Sequence, residues 1–245
     1  MRLLTAAFFV IMVQGVSFKE TQLQNSRVKQ AYAEKEPIVR EYLKGKNISD
    51  IGFQLFMRAF KREKELEIWV KQKNDDAFTL LHTYDFCTSS GTLGPKRKEG
   101  DLQIPEGVYN INHFNPQSNF HLSLGLNYPN ASDKILSDKK HPGGAIYIHG
   151  NCVTIGCIPI TDDKIKELYI LAVEAKDQGQ EKIPVHIFPT RMTNDGISFL
   201  KASLSNSHHM AFWENLKTVF DDFEKTKKLK TVKVNHNGQY VFSAE

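Results

Sequence analysis

The chain reads as an α+β domain organised around a β core, on three observations. The middle of the sequence alternates apolar and polar residues at a period of two. Helical periodicity is confined to the two flanks and to one stretch after a Gly-Cys pair, and no internal repeat or low-complexity segment intervenes. Its 245 residues, 40% hydrophobic and 24% charged, suffice to bury a full core and exclude a disordered chain.

The elements follow in order. "MRLLTAAFFVIMVQGVSFKE" places Arg2 before an uncharged apolar run over residues 3–13, small residues at Gly15 and Ser17, and the first acid at Glu20. A run of this length is too short for a bilayer about 30 Å thick but fits the apolar region of a secretory signal. A core helix or an uncleaved anchor is the alternative reading. The expectation is a signal peptide over 1–17 and an exported mature protein with no stable membrane span. Residues 1–17 hold one Arg and no acid, so their removal lowers the net charge from +4 to +3. That mild basicity is no nucleic-acid signature.

Residues 25–44 read as a helix broken at Pro37, with Val28, Ala31, Ile38 and Leu43 turned inward. Residues 51–60, 65–71 and 78–86 alternate as strands. The loop "GTLGPKRKEGD" holds too much Gly and Pro for a strand interior. A strand resumes near Val108 and ends by Phe114. After the turn "KKHPGG", residues 145–149 form a short apolar strand. A helix then starts with Thr161 as N-cap and Asp162 and Asp163 in its first turn. Ile165, Leu168, Leu171 and Ala172 form its apolar face, and Gly179 closes it. "IPVHIF" is a strand, "MAFWENLKTVFDDF" an amphipathic helix, and "TVKVN…GQYVF" a terminal hairpin. The expected organisation is a signal peptide (1–17), an N-terminal helical segment (18–50), a β-rich core domain (51–190), and a C-terminal helix and hairpin packed on it (191–245).

An exported chain meets oxidising conditions, and this one has Cys87, Cys152 and Cys157. An odd count leaves at least one thiol unpaired within the chain, and spacing does not say which. The stretch "IHGNCVTIGCIPITDD" has the parts a thiol nucleophile needs. His149 at a strand end offers a base, Gly156 allows close backbone approach, and the helix start that follows favours a thiolate. A buried Cys beside a strand-end His is the bland reading of the same residues. Zinc competes through His141, His149, Cys152 and Cys157, but their spacing matches no compact zinc knuckle.

Read with "LFMRAFKREKELEIWV", "YDFCTSSGTLGPKRKEGDLQIPEGVY", "SDKKHPGGAIYIHG", "VHIFPTRM", "FWENL" and "QYVF", the segment resembles the L,D-transpeptidase (YkuD-type) family, most closely its YafK-like branch. The resemblance runs from about residue 27 to the C-terminus. It implies a β-rich catalytic core of mixed sheets, with flanking helices at both ends and one helix after the catalytic Cys. It also implies a peptidoglycan L,D-transpeptidase that forms a thioester on stem peptides. A hydrolase of the same family is the alternative, and a non-catalytic wall-binding module or zinc-stabilised domain comes lower. Carried over residue by residue, Cys157 matches the nucleophile and His149 the general base. The Gly150 carbonyl matches the group that orients the imidazole, the Gly156 and Cys157 amides the oxyanion hole, and Thr154 a brace of the loop. Lys96 and Asp101 stand as cleft-lining candidates. Arg191 stands as a candidate partner for a substrate carboxylate or for a salt bridge. No cofactor and no metal is implied. The partners implied are stem peptides and an amine acceptor or wall-linked protein. Two positions depart from the wider family: Ile155 stands where a second His is usual, and Pro159 where an Arg often follows the Cys.

Overall fold

In the computed structural model of the chain, residues 15–203 and 208–243 are described. Fourteen of the seventeen residues of the expected signal peptide lie outside them. The elements are α1 (Phe18–Gln22), α2 (Ser26–Gly45), β1 (Phe53–Phe60), β2 (Glu65–Gln72), β3 (Thr79–Asp85), β4 (Gly107–Asn115), β5 (Ser123–Leu126), α3 (Ala131–Leu136), β6 (Tyr147–His149), β7 (Ile158–Pro159), α4 (Asp162–Asp177), β8 (Ile183–Phe188), α5 (Asn194–Ser203), α6 (Met210–Thr226), β9 (Val232–Val234) and β10 (Tyr240–Phe242). The fold is α+β, as expected. One mixed sheet of eight strands runs β3-β2-β1-β8-β4-β5-β6-β7, and β9 and β10 make a separate antiparallel pair. Pairing is antiparallel except between β1 and β8 and between β6 and β7.

Both faces of the sheet centre are covered, which fixes how its strands look. From β1, Leu55, Met57 and Ala59 join one large core with α2 and α4. The alternate residues face the other way: Phe56 packs with Trp69, Phe78 and Phe223, and Phe60 with Phe188, Trp213 and Phe220. Each of these large apolar side chains contributes about 1.5–3 kcal/mol by leaving water. Helix α6 is held by charge as well as by apolar contact. Arg58 of β1, 1% exposed, donates to its cross-strand neighbour Glu67 at 2.8 and 2.9 Å and to Glu224 of α6 at 2.7 Å.

Three local expectations are corrected. Helix α2 runs unbroken through Pro37, which sits on the exposed side; the missing N–H costs one helical bond without ending the helix. Its buried stripe uses Tyr32 and Val39, while Ile38 is only half-buried. Thr161 precedes α4 at φ 72° and makes no side-chain cap, because the chain enters the helix from a tight turn. Among the described residues, no helix is long and apolar enough to cross a membrane.

Candidate active site

The short strands β6 and β7, at one edge of the sheet, position the histidine, which ends β6, and the free cysteine, which immediately precedes β7. Their parallel register pairs Ile148 with Ile158 and His149 with Pro159, so Cys157 stands beside Tyr147. The Tyr147 N–H donates to Cys157 Sγ at 3.4 Å, and the thiol reaches the Ala145 carbonyl at 3.7 Å. His149 lies two residues beyond Tyr147, on the same face of β6 and about 7 Å along the strand.

Each side chain is fixed locally. His149 is 1% exposed, with Phe120 stacked on its ring at a centroid distance of 4.6 Å. Its Nδ1 lies 2.5 Å from the Gly150 carbonyl oxygen. A carbonyl only accepts, so Nδ1 carries the proton and Nε2 keeps a free lone pair. Burial lowers the imidazole's affinity for a second proton, opposed by the Gly150 carbonyl. Cys157 is half-buried. Burial pushes its thiol up, opposed by the Tyr147 N–H and the positive charge of Lys96. Both directions favour the uncharged forms of the imidazole and the thiol.

Gly150 cannot carry a side chain here: a Cβ would meet Asp162 Oδ1 at 2.5 Å and the Phe120 carbonyl oxygen at 2.9 Å. Asp162 Oδ1 also accepts the Asn151 N–H at 2.8 Å, which folds the chain back after β6. Thr154 then braces the return. Its Oγ1 accepts from the Gly156 and Cys157 amides at 3.1 and 2.8 Å and donates to the Cys157 carbonyl at 2.9 Å. The two amides expected to face an oxyanion are thus bonded to Thr154 in the resting protein.

The cysteines sort themselves. Cys87, just past β3, is disulfide-bonded to Cys152, with Cα atoms 5.5 Å apart, and Cys157 is the free thiol. The bridge ties the loop over 150–157 to the far edge of β3, and the Cys87 N–H adds a bond to the Pro159 carbonyl at 3.0 Å. With Cys152 in a disulfide, the set His141, His149, Cys152 and Cys157 loses a zinc ligand. Among the described residues, no group of three or more His, Cys, Asp or Glu could hold a metal ion.

The other candidates divide. Lys96 is buried and bonded to Asp101 Oδ1 at 2.7 Å, in the loop that flanks Gly156. Arg191 follows β8 and does not join them. Its guanidinium pairs with Glu65 and Glu67 of β2 and lies over the Phe60 ring. Of its two expected roles the structure gives it the salt bridge. Sequence reasoning missed Phe120, Asp162 and the Tyr147 amide. A main-chain donor leaves no trace in residue type, and a stacking ring 29 residues before its imidazole shows no motif.

The model of the YkuD L,D-transpeptidase catalytic domain matches residues 61–187. The chain is 35% identical over 209 residues to YafK of Escherichia coli (strain K12), which is named as an L,D-transpeptidase. The match covers 84% of this chain and 79% of that one. The chain belongs to the L,D-transpeptidase catalytic domain family. Two solved structures are similar at 18% identity. One is the helical cell shape determining protein Pgp2 of Campylobacter jejuni, with TM-score 0.45 over 80% of each chain. The other is Bd1075 of Bdellovibrio bacteriovorus, with TM-score 0.40 over 78% of this chain and 77% of that one. The L,D-transpeptidase match spans β2 to β8 and so includes both strands of the site.

Proposed function

We propose that this L,D-transpeptidase-family protein is an exported acyltransferase acting on peptidoglycan stem peptides through a thioester on Cys157. The observation that carries the reading is the tautomer of His149: Nδ1–H is committed to the Gly150 carbonyl, which leaves Nε2 unprotonated and able to act as a base. Cys157 Sγ attacks the carbonyl carbon of the L,D bond after the third-position diamino acid, and His149 Nε2 takes the thiol proton. The C–N bond breaks as His149 returns that proton to the leaving amine, a D-alanine or a linked group. An amine acceptor or water then attacks the thioester, its proton passes to His149, and the restored thiol leaves. Transpeptidation and hydrolysis share every step up to the acceptor.

For the tetrahedral oxygen, the Gly156 and Cys157 amides are the donors. They are aimed at one point already, because both converge on Thr154 Oγ1, and the developing oxyanion takes that acceptor's place. The reading includes secretion directed by residues 1–17, a helical segment over 18–50, a catalytic unit over 51–190 and a C-terminal helix and hairpin over 191–245 that brace it.

Incubation with purified muropeptides, followed by mass spectrometry, tests the proposal. Release of D-alanine or of a linked partner is expected, and Cys157→Ala abolishes it; full turnover by that variant refutes the nucleophile. His149→Ala slows alkylation of Cys157 at neutral pH far more than at pH 9, and equal losses at both would remove His149 as base.

A further inference from the structure

Lys96 is a buried cation in the loop packed against the segment that holds Cys157, and it belongs to none of the apolar cores. It is 4% exposed, and its Nζ donates to Asp101 Oδ1 at 2.7 Å and to the Lys98 carbonyl at 3.0 Å. Taking a charge this far from water is costly unless something compensates. Asp101 compensates and is itself immobilised, because it also accepts the N–H groups of Arg97, Lys98 and Gln103 at 2.8, 3.0 and 3.1 Å. Those three main-chain bonds close the loop by themselves. The loop's main-chain donors all go to the carboxylate, and the ammonium adds its bonds to Asp101 and to the Lys98 carbonyl.

The loop is clamped against the segment that holds Cys157. Tyr128 OH bridges the Lys96 and Pro142 carbonyls, and the Glu99 N–H donates to the His141 carbonyl at 2.8 Å. A Cβ on Gly143 would sit 3.0 Å from Lys96 Cε, and one on Gly156 would sit 3.0 Å from the Gln103 carbonyl oxygen. Two residues past Gly143, the Ala145 carbonyl meets Cys157 Sγ at 3.7 Å. One strip of backbone thus has the lysine stem on one side and the sulfur at its end. The other charged and titratable groups around the site are already committed. His149 on β6 is buried and neutral against Gly150, Asp162 at the start of α4 holds the Asn151 N–H, and Asp101 is capped by its four donors. Lys96 is the cation whose field reaches the thiol.

We propose that Lys96 is a positioning residue for acyl transfer: its fixed ammonium favours the thiolate of Cys157, and Asp101 holds that ammonium in place. The proposal rests on Cys157 as nucleophile for its consequence in turnover, and on the geometry alone for its effect on the sulfur. It accounts for the combination at the site. A neutral imidazole and a buried thiol gain little by exchanging a proton in an apolar setting, and a nearby cation that cannot be washed away by salt offsets that cost.

The test is the rate of alkylation of Cys157 by iodoacetamide in the full chain from pH 6 to 10, read by mass spectrometry. Lys96→Met is expected to slow alkylation about tenfold at pH 7, the effect of removing one neighbouring charge, and to move the rise of the rate with pH to higher pH. Lys96→Arg keeps the charge and stays close to the parent. Lys96→Gln removes the charge and keeps an N–H donor for Asp101. It guards against a fold lost through Asp101 and is expected to match Lys96→Met. A parent-like pH profile in either neutral variant overturns the proposal, as does Lys96→Arg as slow as Lys96→Met. Because the readout is the sulfur itself, these outcomes stand apart from muropeptide turnover by Cys157→Ala, which tests the nucleophile.

Discussion

Replacing Cys87 and Cys152 by Ser removes the one covalent tie between β3 and the loop that precedes Cys157. The size of the effect follows from the ring the bridge closes. With the half-cystines 65 positions apart, the entropy withheld from the unfolded chain is about 14–15 cal/mol/K, or about 4 kcal/mol at 25 °C. For a domain of this size that lowers Tm by roughly 10 °C. The comparison is made in a Cys157→Ala background, so that no thiol reshuffles the bridge during unfolding. Urea denaturation followed by far-UV circular dichroism gives the free-energy difference and its m-value. The bridged form exposes less surface when unfolded, so its m-value is the smaller. A loss below about 1 kcal/mol would refute the reasoning. It would mean that the unfolded chain already holds these segments together, or that the native bridge stores strain equal to the entropy it removes.

Three further outcomes are expected. Thr154→Val, which deletes an acceptor of two amides and a donor to the Cys157 carbonyl, costs about 2 kcal/mol in urea denaturation, while Thr154→Ser restores most of it. Burial pushes the Asp133 carboxyl up from 3.8 to about 6, so the folded protein binds this proton more tightly than the unfolded chain. Stability contributed by Asp133 is therefore present below pH 4 and falls as pH rises through about 6, by up to about 3 kcal/mol, and the difference between parent and Asp133→Asn measured at pH 4 and pH 7 reports that slope. Arg191→Ala lowers stability by about 1–2 kcal/mol, since the nearly buried Glu67 loses one of its two guanidinium partners but keeps Arg58, and it leaves KM for muropeptides unchanged. A rise in KM would return Arg191 to substrate binding.

The parts of the fold legible in the sequence were those with a long single period. Helix α4 shows a clean stripe through Ile165, Leu168, Leu171 and Ala172, and it forms where expected, with Gly179 just past its end. The strands β1 to β3 were also placed, although residues of β1 are buried on both faces, so its one charged member marks an ion pair and not solvent. Arg58 is the case in point: it reads as an outward residue and is instead buried between Glu67 and Glu224. Short elements had no period to show. The two residues of β7, the four of β5 and the six-residue helix α3 are defined by their neighbours in space.

The same division holds at the site. His149 and Cys157 were visible because their residue types and the glycines beside them suit the chemistry. The pairing of Cys87 with Cys152 was not, because a bridge across 65 residues depends on where β3 ends relative to β6. Thr154 was visible as a brace through the family resemblance, but the two amides it accepts depend on the path of the backbone. Arg191 had the charge for a carboxylate ligand, and sheet order sent it to Glu65 and Glu67.

The most direct measurement is the intact mass of the full chain quenched in acid during turnover of muropeptides, with the adduct then mapped by peptide digestion. The account predicts a thioester-linked stem acyl group on the peptide containing Cys157, absent from Cys157→Ala and released by hydroxylamine. Product formation with no adduct on that peptide at any quench time, together with undiminished turnover by Cys157→Ala, would contradict it.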